Sequence, residues 1–446
     1  MAKKSGIYIR FDKPDNGKLR LDGVSKNSQF RSPKSGKSVE KTTTSFNKLI
    51  DEFSQNLHSF EDTVRFLTVM PFMMAENATN RQLVPFVKKF GEKKNETKNY
   101  VSYFIPEDHT SKAIEITEKA SQFYRARKYT PQLCILGVIS LYDSYLRSIL
   151  LKISETHPEV FLSSKKEISY PEILKFDRYE SLQEALIEKS IDDILRGSHY
   201  DQIDTIFKMV SLKFDKSDRS FLEFIKACEL RNIYAHTGGV VSDIFLKKCN
   251  DYGLDTSGFI KGQVVSLKPK EIHDIIDCVH EFSLKIGLTL RRKYGSKDIK
   301  TLTTDFHYIA YKLIGREKYA VSLNLSRFLL DTLSEKMEDR LRRMIVVNMS
   351  IAEKYLELDW EERLEGVDWS ASSLDFQVAI SAINEDVEKT VELMHAIGPK
   401  NKNVNKEAYR GWPVFNWIRE NEKFLKAYSD IFGETLIVGL NDSEHE

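Results

Sequence analysis

The sequence predicts a mostly α-helical protein: a helical bundle, then a C-terminal stack of helical hairpins, with a small basic N-terminal extension that can form a β-hairpin. Three observations lead to this prediction. Apolar residues recur at intervals of three and four through most of the chain, alternating strand-like patterns are scarce, and 446 residues suffice for more than one domain. The chain has 67 Lys and Arg against 66 Asp and Glu, so any polyanion has to bind at a local patch.

The first 44 residues form a basic N-terminal arm. They hold eleven Lys and Arg against four Asp and Glu. A short apolar segment, Ile7 to Phe11, is followed by Asn16-Gly17, which supplies turn residues for a hairpin. Such an arm can contact phosphate groups, although a solvated tail is the simpler interpretation.

The helices group into three further regions. Residues 45–110 are predicted to form two or three short helices with Lys-rich loops. A bundle domain is predicted at 111–295, because five amphipathic segments there can share one core. Their predicted bounds are 111–127, 131–153, 182–195, 218–234 and 270–292, with Pro131 starting the second helix.

Residues 296–446 are predicted to form a separate C-terminal domain of helical hairpins. Its segment at 315–330 is loosely similar to a tetratricopeptide-type helix, although no regular repeat can be aligned. The predicted helices are 303–313, 318–333, 338–356, 374–397 and 406–432.

Four cysteines in 446 residues exclude a disulfide scaffold, and the lack of a C-x-x-C pair argues against a zinc ribbon. The sequence shows no signal peptide, and no segment looks apolar enough to span a bilayer. We therefore expect a cytoplasmic protein with buried, reduced thiols, without a cofactor and without contact to a membrane. His273, Asp277 and His280 share one helix face and could hold a metal, but a solvated polar face is the preferred interpretation.

The residues with the clearest chemical potential lie near one helix end. Phe221, Phe224, Ile225 and Cys228 are spaced as a buried helix face, then Arg231, Asn232 and His236 interrupt the apolar pattern before Gly238-Gly239. A fixed guanidinium can stabilise a phosphorane, and an imidazole can transfer protons. That combination suits RNA cleavage by the 2′-hydroxyl without a metal.

Helix geometry limits this interpretation. Five residues along a helix correspond to a rotation of about 140°, so Arg231 and His236 diverge unless the histidine lies beyond the helix end. A two-fold dimer could bring two such ends into one cleft. The alternative is purely structural, with Arg231 in an ion pair and His236 at the helix cap.

The segment R-N-I-Y-A-H at 231–236 resembles the Arg-polar-x-x-x-His signature of the HEPN superfamily, whose active members are metal-independent RNases. The helix with I-S-L-Y-D-S-Y-L-R-S-I-L-L resembles the second helix of such domains, and the likeness covers about 111–292. It implies a homodimer in which Arg231 and His236 are catalytic, Asn232 orients them and Asp143 is a supporting carboxylate. Variants of this kind occur in bacterial defence and abortive-infection proteins, so the resemblance implies an antiviral or toxin effector.

Basic and aromatic residues also interleave at two places, which favours RNA contact by charge and stacking. We expect a C-terminal region that docks a partner or senses a trigger. Two alternatives remain open: a non-catalytic RNA-binding or dimerisation module, and a helical interaction scaffold. The candidate RNA-binding residues are Arg125, Arg127, Lys128, Arg291 and Arg292.

Overall fold

The computed structural model describes residues 8–12, 20–25, 45–96, 101–162, 168–212, 215–295, 298–333 and 337–437. The predicted fold class is confirmed, because most of these residues lie in α-helices and the strands among them are short. Contacts between Cα atoms divide the chain into two compact units, residues 1–44 and residues 45–446.

The N-terminal unit contains the predicted hairpin. Strand β1 (Tyr8–Asp12) pairs antiparallel with β2 (Arg20–Ser25), and the register shifts between Arg10 and Phe11. The predicted turn at Asn16-Gly17 and the basic arm after β2 lie outside the described residues.

Two long helices dominate the beginning of the second unit. Helix α1 (Phe46–Asn77) begins at Ser45, whose hydroxyl accepts a hydrogen bond from the backbone N–H of Lys48. It packs along α3 (Glu107–Thr156). The expectation of short helices was therefore wrong here, and the hairpin between these helices was not predicted because Glu92–Glu96 lacks apolar alternation. The connecting elements are a π-helical turn (Ala78–Leu83), α2 (Val84–Phe90), β3 (Glu92–Glu96) and β4 (Val101–Phe104).

Helix α3 is continuous through Pro131, so the predicted start of a new helix at this residue was wrong. A proline inside a helix loses one backbone hydrogen bond and costs about 3 kcal/mol. The following turns offset this cost, because Cys134, Ile135 and Val138 are all buried in the core. The Gln132 amide also donates to the backbone carbonyl of Tyr234, at 3.1 Å.

Part of α3 is apolar over a length that would suffice to cross a bilayer. Its most apolar stretch of 18 residues is long and apolar enough to do so, and half of this stretch is buried inside the protein. The expectation that no segment reaches this level was wrong. Burial explains the composition, since α3 is the central helix of the core.

Several of the next helices pack on α3, and the ones predicted at 182–195, 218–234 and 270–292 are confirmed to within three residues. The helices of this region are α4 (Tyr170–Ile173), α5 (Tyr179–Leu195), α6 (His199–Met209), α7 (Arg219–Thr237), α8 (Asp243–Asp251) and α9 (Pro269–Tyr294).

The C-terminal region consists of shorter helices. The predicted helix 374–397 is divided at residues 384–386, and the predicted helix 406–432 is divided by a 3₁₀ turn at Pro413–Phe415. The helices are α10 (Ile299–Ile314), α11 (Tyr319–Leu333), α12 (Asp339–Tyr355), α13 (Glu361–Glu365), α14 (Leu374–Ile383), α15 (Val387–Ile397), α16 (Lys406–Gly411) and α17 (Glu422–Phe432).

Two hydrophobic cores stabilise the second unit. The first extends from Phe46 to Ala352 and therefore continues past residue 296 into α10, α11 and α12. The second joins α12 to the helices that follow and is rich in aromatic side chains. The first core crosses the predicted domain boundary at 295/296, and the boundary itself stays a prediction.

Candidate functional site

Helix α7 carries the predicted motif, and its two ends are fixed by capping. Asp218 accepts a hydrogen bond from the backbone N–H of Phe221, at 3.1 Å, and Gly238 ends the helix in the left-handed conformation with φ 62°. The predicted apolar face is confirmed, because Phe221, Phe224 and Cys228 are all buried. This face fixes the rotation of α7 and therefore the direction in which Arg231 points.

Arg231 on α7 lies against α3, beside Asp143, which the resemblance implies is its supporting carboxylate. The guanidinium Nη2 is 3.6 Å from Asp143 Oδ2, and the two side chains are 27% and 41% exposed. The pair therefore lies at the edge of the bundle, where a solvent-borne ligand can approach it. The structure brings together these two predicted residues.

A third residue, His199, completes this cluster and was not singled out from the sequence. Its ring Nε2 is 2.9 Å from Asp143 Oδ1, and its side chain is 5% exposed. His199 follows the N-cap Ser198 of α6 and contacts the rings of Tyr142 and Phe224. A histidine directly after a serine cap is the only sequence signal for it, and that signal alone is weak.

Asn232 and His236 do not join this cluster within one chain. Asn232 is partly buried, whereas His236 is exposed in the last turn of α7, which continues to Thr237. Five residues of helix turn the side chain by about 140° and move it by about 7.5 Å from Arg231. Arg231 and His236 could converge in a single chain only if the histidine lay beyond the helix end. His236 lies within the helix, so this condition is not met.

Burial also decides which neighbouring groups can react. It raises the pKa of the Cys228 thiol well above its usual range, and the negative charge of Asp143 adds to this effect. Burial likewise raises the pKa of the Tyr142 hydroxyl well above its usual range. Both groups stay protonated near neutral pH, so neither is a nucleophile for this cluster.

The N-terminal part of α3 extends the candidate site in one direction. Asp143 contacts Arg231 and Gln132 contacts Tyr234, so α7 runs antiparallel to this part of α3. The C-terminal end of α7 therefore points towards residue 129 of α3. Residues 125, 129, 132 and 143 share one helix face, since 18 residues correspond to about five full turns. Arg125 and Tyr129 are exposed on this face, and Lys128 is exposed beside it.

The other candidate RNA-binding residues differ in accessibility. Arg291 is 5% exposed, and its Nη2 is 2.6 Å from Asp305 Oδ2. This ion pair stabilises the contact between α9 and α10, so the expectation that Arg291 contacts RNA is corrected. Arg292 is exposed, although its Nη1 donates to the Thr332 carbonyl. The side chain of Arg127 lies outside the described part of the chain.

The polar face of α9 packs against other parts of the chain, which corrects the expectation of a solvated face: His280 is buried, and the side chains of His273 and Asp277 are 25% and 31% exposed. His280 is 1% exposed and bonds to Ser54 at 3.0 Å, while His273 Nδ1 is 3.1 Å from Glu61. Lys318 pairs with both Glu61 and Asp277 in the same network. Sequence analysis missed this network because its partners come from the distant helix α1 and from Lys318, directly before α11.

No cluster of three or more His, Cys, Asp or Glu side chains suited to a metal ion is found in the part of the chain that the structure describes. A cleft of about 1180 Å³ opens on a different face of α7, between the 255–267 loop, α9 and α11. Arg231 and His236 are not among its lining residues, so this cleft is separate from the candidate site. Lys285 pairs with both Glu281 and Asp218 along its wall.

Comparison with known protein families, curated proteins and solved structures finds no match to this chain.

Proposed function

We propose that the protein is a metal-independent endoribonuclease of the HEPN type. The observation that carries this proposal is the partly exposed Arg231, held by Asp143 near the end of a helix whose last turn presents His236 to solvent. In the proposed reaction the 2′-hydroxyl of the RNA attacks the adjacent phosphorus and leaves a cyclic phosphate and a 5′-hydroxyl. His236 transfers protons, and Arg231 stabilises the charge of the phosphorane.

The proposed active site is shared between two copies of the chain. His236 and Arg231 diverge by about 140° on one helix, so the imidazole of one subunit has to meet the guanidinium of the other. Both side chains reach the surface, which such a shared cleft requires. Asn232 lies between them on α7 and is the proposed orienting residue.

The exposed face of α3 is the proposed path for the RNA strand. Arg125 supplies charge and Tyr129 a stacking surface, and both lie on the helix face that leads to Asp143. Lys128 is about 22 Å from Asp143 along the helix axis, since 15 residues rise about 1.5 Å each. The reacting phosphate and the strand beyond it would therefore be held at separate points.

The proposed biological role is an antiviral or toxin effector in the cytoplasm. An RNase of this kind harms its host when it is always active, so it needs a restraint or a trigger. The C-terminal helical region, 296–446, is the proposed control element, since its helices present surface that the proposed active site does not use. A protein partner that binds there would regulate cleavage.

One observation favours a second candidate, a non-catalytic RNA-binding and dimerisation module. The carboxylate of Asp143 partly neutralises Arg231, which weakens its attraction for a phosphorane. Under this alternative the same residues bind RNA without cleaving it. A helical scaffold that binds only proteins would not bind RNA at all.

The two candidates are separated by incubating RNA with the purified protein in EDTA. We expect the wild-type protein to cleave, and Arg231→Ala and His236→Ala to lose about 100-fold or more of the rate. Arg340→Ala and His395→Ala are matched controls, because Arg340 also pairs with a carboxylate at 3.6 Å and His395 is also exposed in the last turn of a helix. RNA that stays intact but is retained on a filter would overturn the enzyme and favour the binding module.

A further inference from the structure

We propose that His199 is a positioning residue that keeps the Arg231 guanidinium available for a phosphate group. The inference rests on the proposed function for its substrate, although its chemical basis can be measured without RNA. His199 does not reach the surface, so it acts through Asp143 rather than on the substrate.

The first argument is the unusual form of the Arg231–Asp143 pair. Arginine and a carboxylate commonly form two parallel N–H···O hydrogen bonds of about 2.8 Å. Here the pair joins one nitrogen to one oxygen at 3.6 Å, which is beyond hydrogen-bond distance. Among the described residues, no hydrogen bond of the Arg231 guanidinium to any other group is found. Its N–H donors are therefore not committed to a partner among these residues, and the side chain, 27% exposed, can meet a ligand at the surface.

The second argument is the way His199 uses the other carboxylate oxygen. A carboxylate only accepts hydrogen bonds, so His199 donates its Nε2–H to Asp143 Oδ1, at 2.9 Å. This bond fixes the plane of the carboxylate. With Oδ1 held by the imidazole, only Oδ2 can face Arg231, and the two-bond form of the ion pair is prevented.

The third argument is that His199 itself is held rigidly. The Ser198 hydroxyl caps α6, and the Gln202 amide donates to the carbonyls of Leu195 and Gly197, at 3.0 and 2.9 Å. The imidazole packs beside the paired rings of Tyr142 and Phe224, with ring centroids 6.2 and 6.0 Å away. A buried ring with these contacts cannot follow a rotation of the Asp143 carboxylate. The position of the imidazole therefore limits the orientations that the carboxylate can adopt while it keeps this hydrogen bond.

The consequence is a specific prediction for substitution at His199. In His199→Leu the carboxylate loses its anchor, rotates and forms two hydrogen bonds with Arg231. Such pairing competes with phosphate binding at the guanidinium. In His199→Gln the side-chain amide replaces the Nε2–H donor, so the original arrangement is retained.

The test measures the reactivity of the Arg231 guanidinium with phenylglyoxal, followed by peptide mass spectrometry. RNA affinity is measured on the same samples by filter binding. The variants are His199→Leu, His199→Gln, Asp143→Asn and the double variant His199→Leu/Asp143→Asn. His307→Leu is the matched control, because His307 is also buried but lies on α10. Thermal unfolding of each variant identifies any that fail to fold.

We expect His199→Leu to slow the labelling of Arg231 by about threefold. The variant adds one ion-pair contact between Arg231 and Asp143, and a contact of this kind at a half-exposed site stabilises the pair by a small amount. His199→Gln and His307→Leu should label at the wild-type rate. Asp143→Asn should label faster, and adding His199→Leu to it should change nothing further. Wild-type labelling in His199→Leu, or an equal loss from His199→Leu in the Asp143→Asn background, would overturn the proposal. If RNA is neither bound nor cleaved by any variant, the labelling result still stands and only the proposed function fails.

Discussion

The divergence of Arg231 and His236 on α7 leads to a quantitative prediction for mixed dimers. In a shared site, the Arg231→Ala subunit supplies an intact His236, and the His236→Ala subunit supplies an intact Arg231. Each mixed dimer then contains one complete site and one site that lacks both groups. Since half of the dimers in an equal mixture are mixed, we expect about one quarter of the wild-type rate.

The assay combines the two inactive variants after subunit exchange and follows RNA cleavage in EDTA. Differently tagged subunits and native mass spectrometry measure the fraction of mixed dimers. As a control, Arg231→Ala is mixed with the double variant Arg231→Ala/His236→Ala, since that mixed dimer contains no complete site. Mixed dimers that form but stay inactive, although the wild type cleaves, would refute a site shared across the two-fold axis.

Three further predictions concern the stability of the packed core. Lys318→Met leaves two carboxylates, on α1 and α9, without their buried partner and should cost about 3 kcal/mol of unfolding free energy. The control Lys312→Met removes only a surface ion pair and should cost less than about 1 kcal/mol. Equal losses of the two variants in urea unfolding would contradict this. Burial lowers the pKa of His280 to about 3, so its neutral form stabilises the fold above pH 6.5, and stability should fall by about 1.4 kcal/mol per pH unit between about 6 and 4. An unchanged pH dependence in His280→Phe would refute that origin. Gly137→Ala places a Cβ 2.6 Å from the Phe60 ring and should cost about 1–3 kcal/mol, whereas Gly411→Ala meets no atom within 4 Å; the thermal midpoints of both variants test this difference.

The sequence predicts single helices well where one apolar face is sufficient to define them. Helix α7 is an example, because its buried face, its aspartate cap and its glycine end are all local. Helix α3 shows the limit of local rules. Pro131 predicts a helix start, but the packing of the residues around it on α1 and α7 outweighs that preference.

The candidate site could be predicted in part for the same reason. The pairing of Arg231 with Asp143 follows from the motif and its resemblance, whereas His199 joins through a contact 56 residues away in sequence. The network of His273, Asp277 and His280 depends on α1, more than 200 residues before it, and on Lys318, about 40 residues after it. Periodicity identifies a polar face but does not show whether another helix covers it.

The central claim is that the 2′-hydroxyl of RNA is the nucleophile and that Arg231 and His236 act on its attack. The most direct measurement compares two oligonucleotides of the same sequence, one with ribose and one with 2′-O-methylribose, in the presence of EDTA. We predict that only the ribose substrate is cleaved, that the products carry a cyclic phosphate and a 5′-hydroxyl, and that His236→Ala abolishes the reaction. Cleavage of the methylated substrate, or wild-type cleavage by His236→Ala, would contradict the claim.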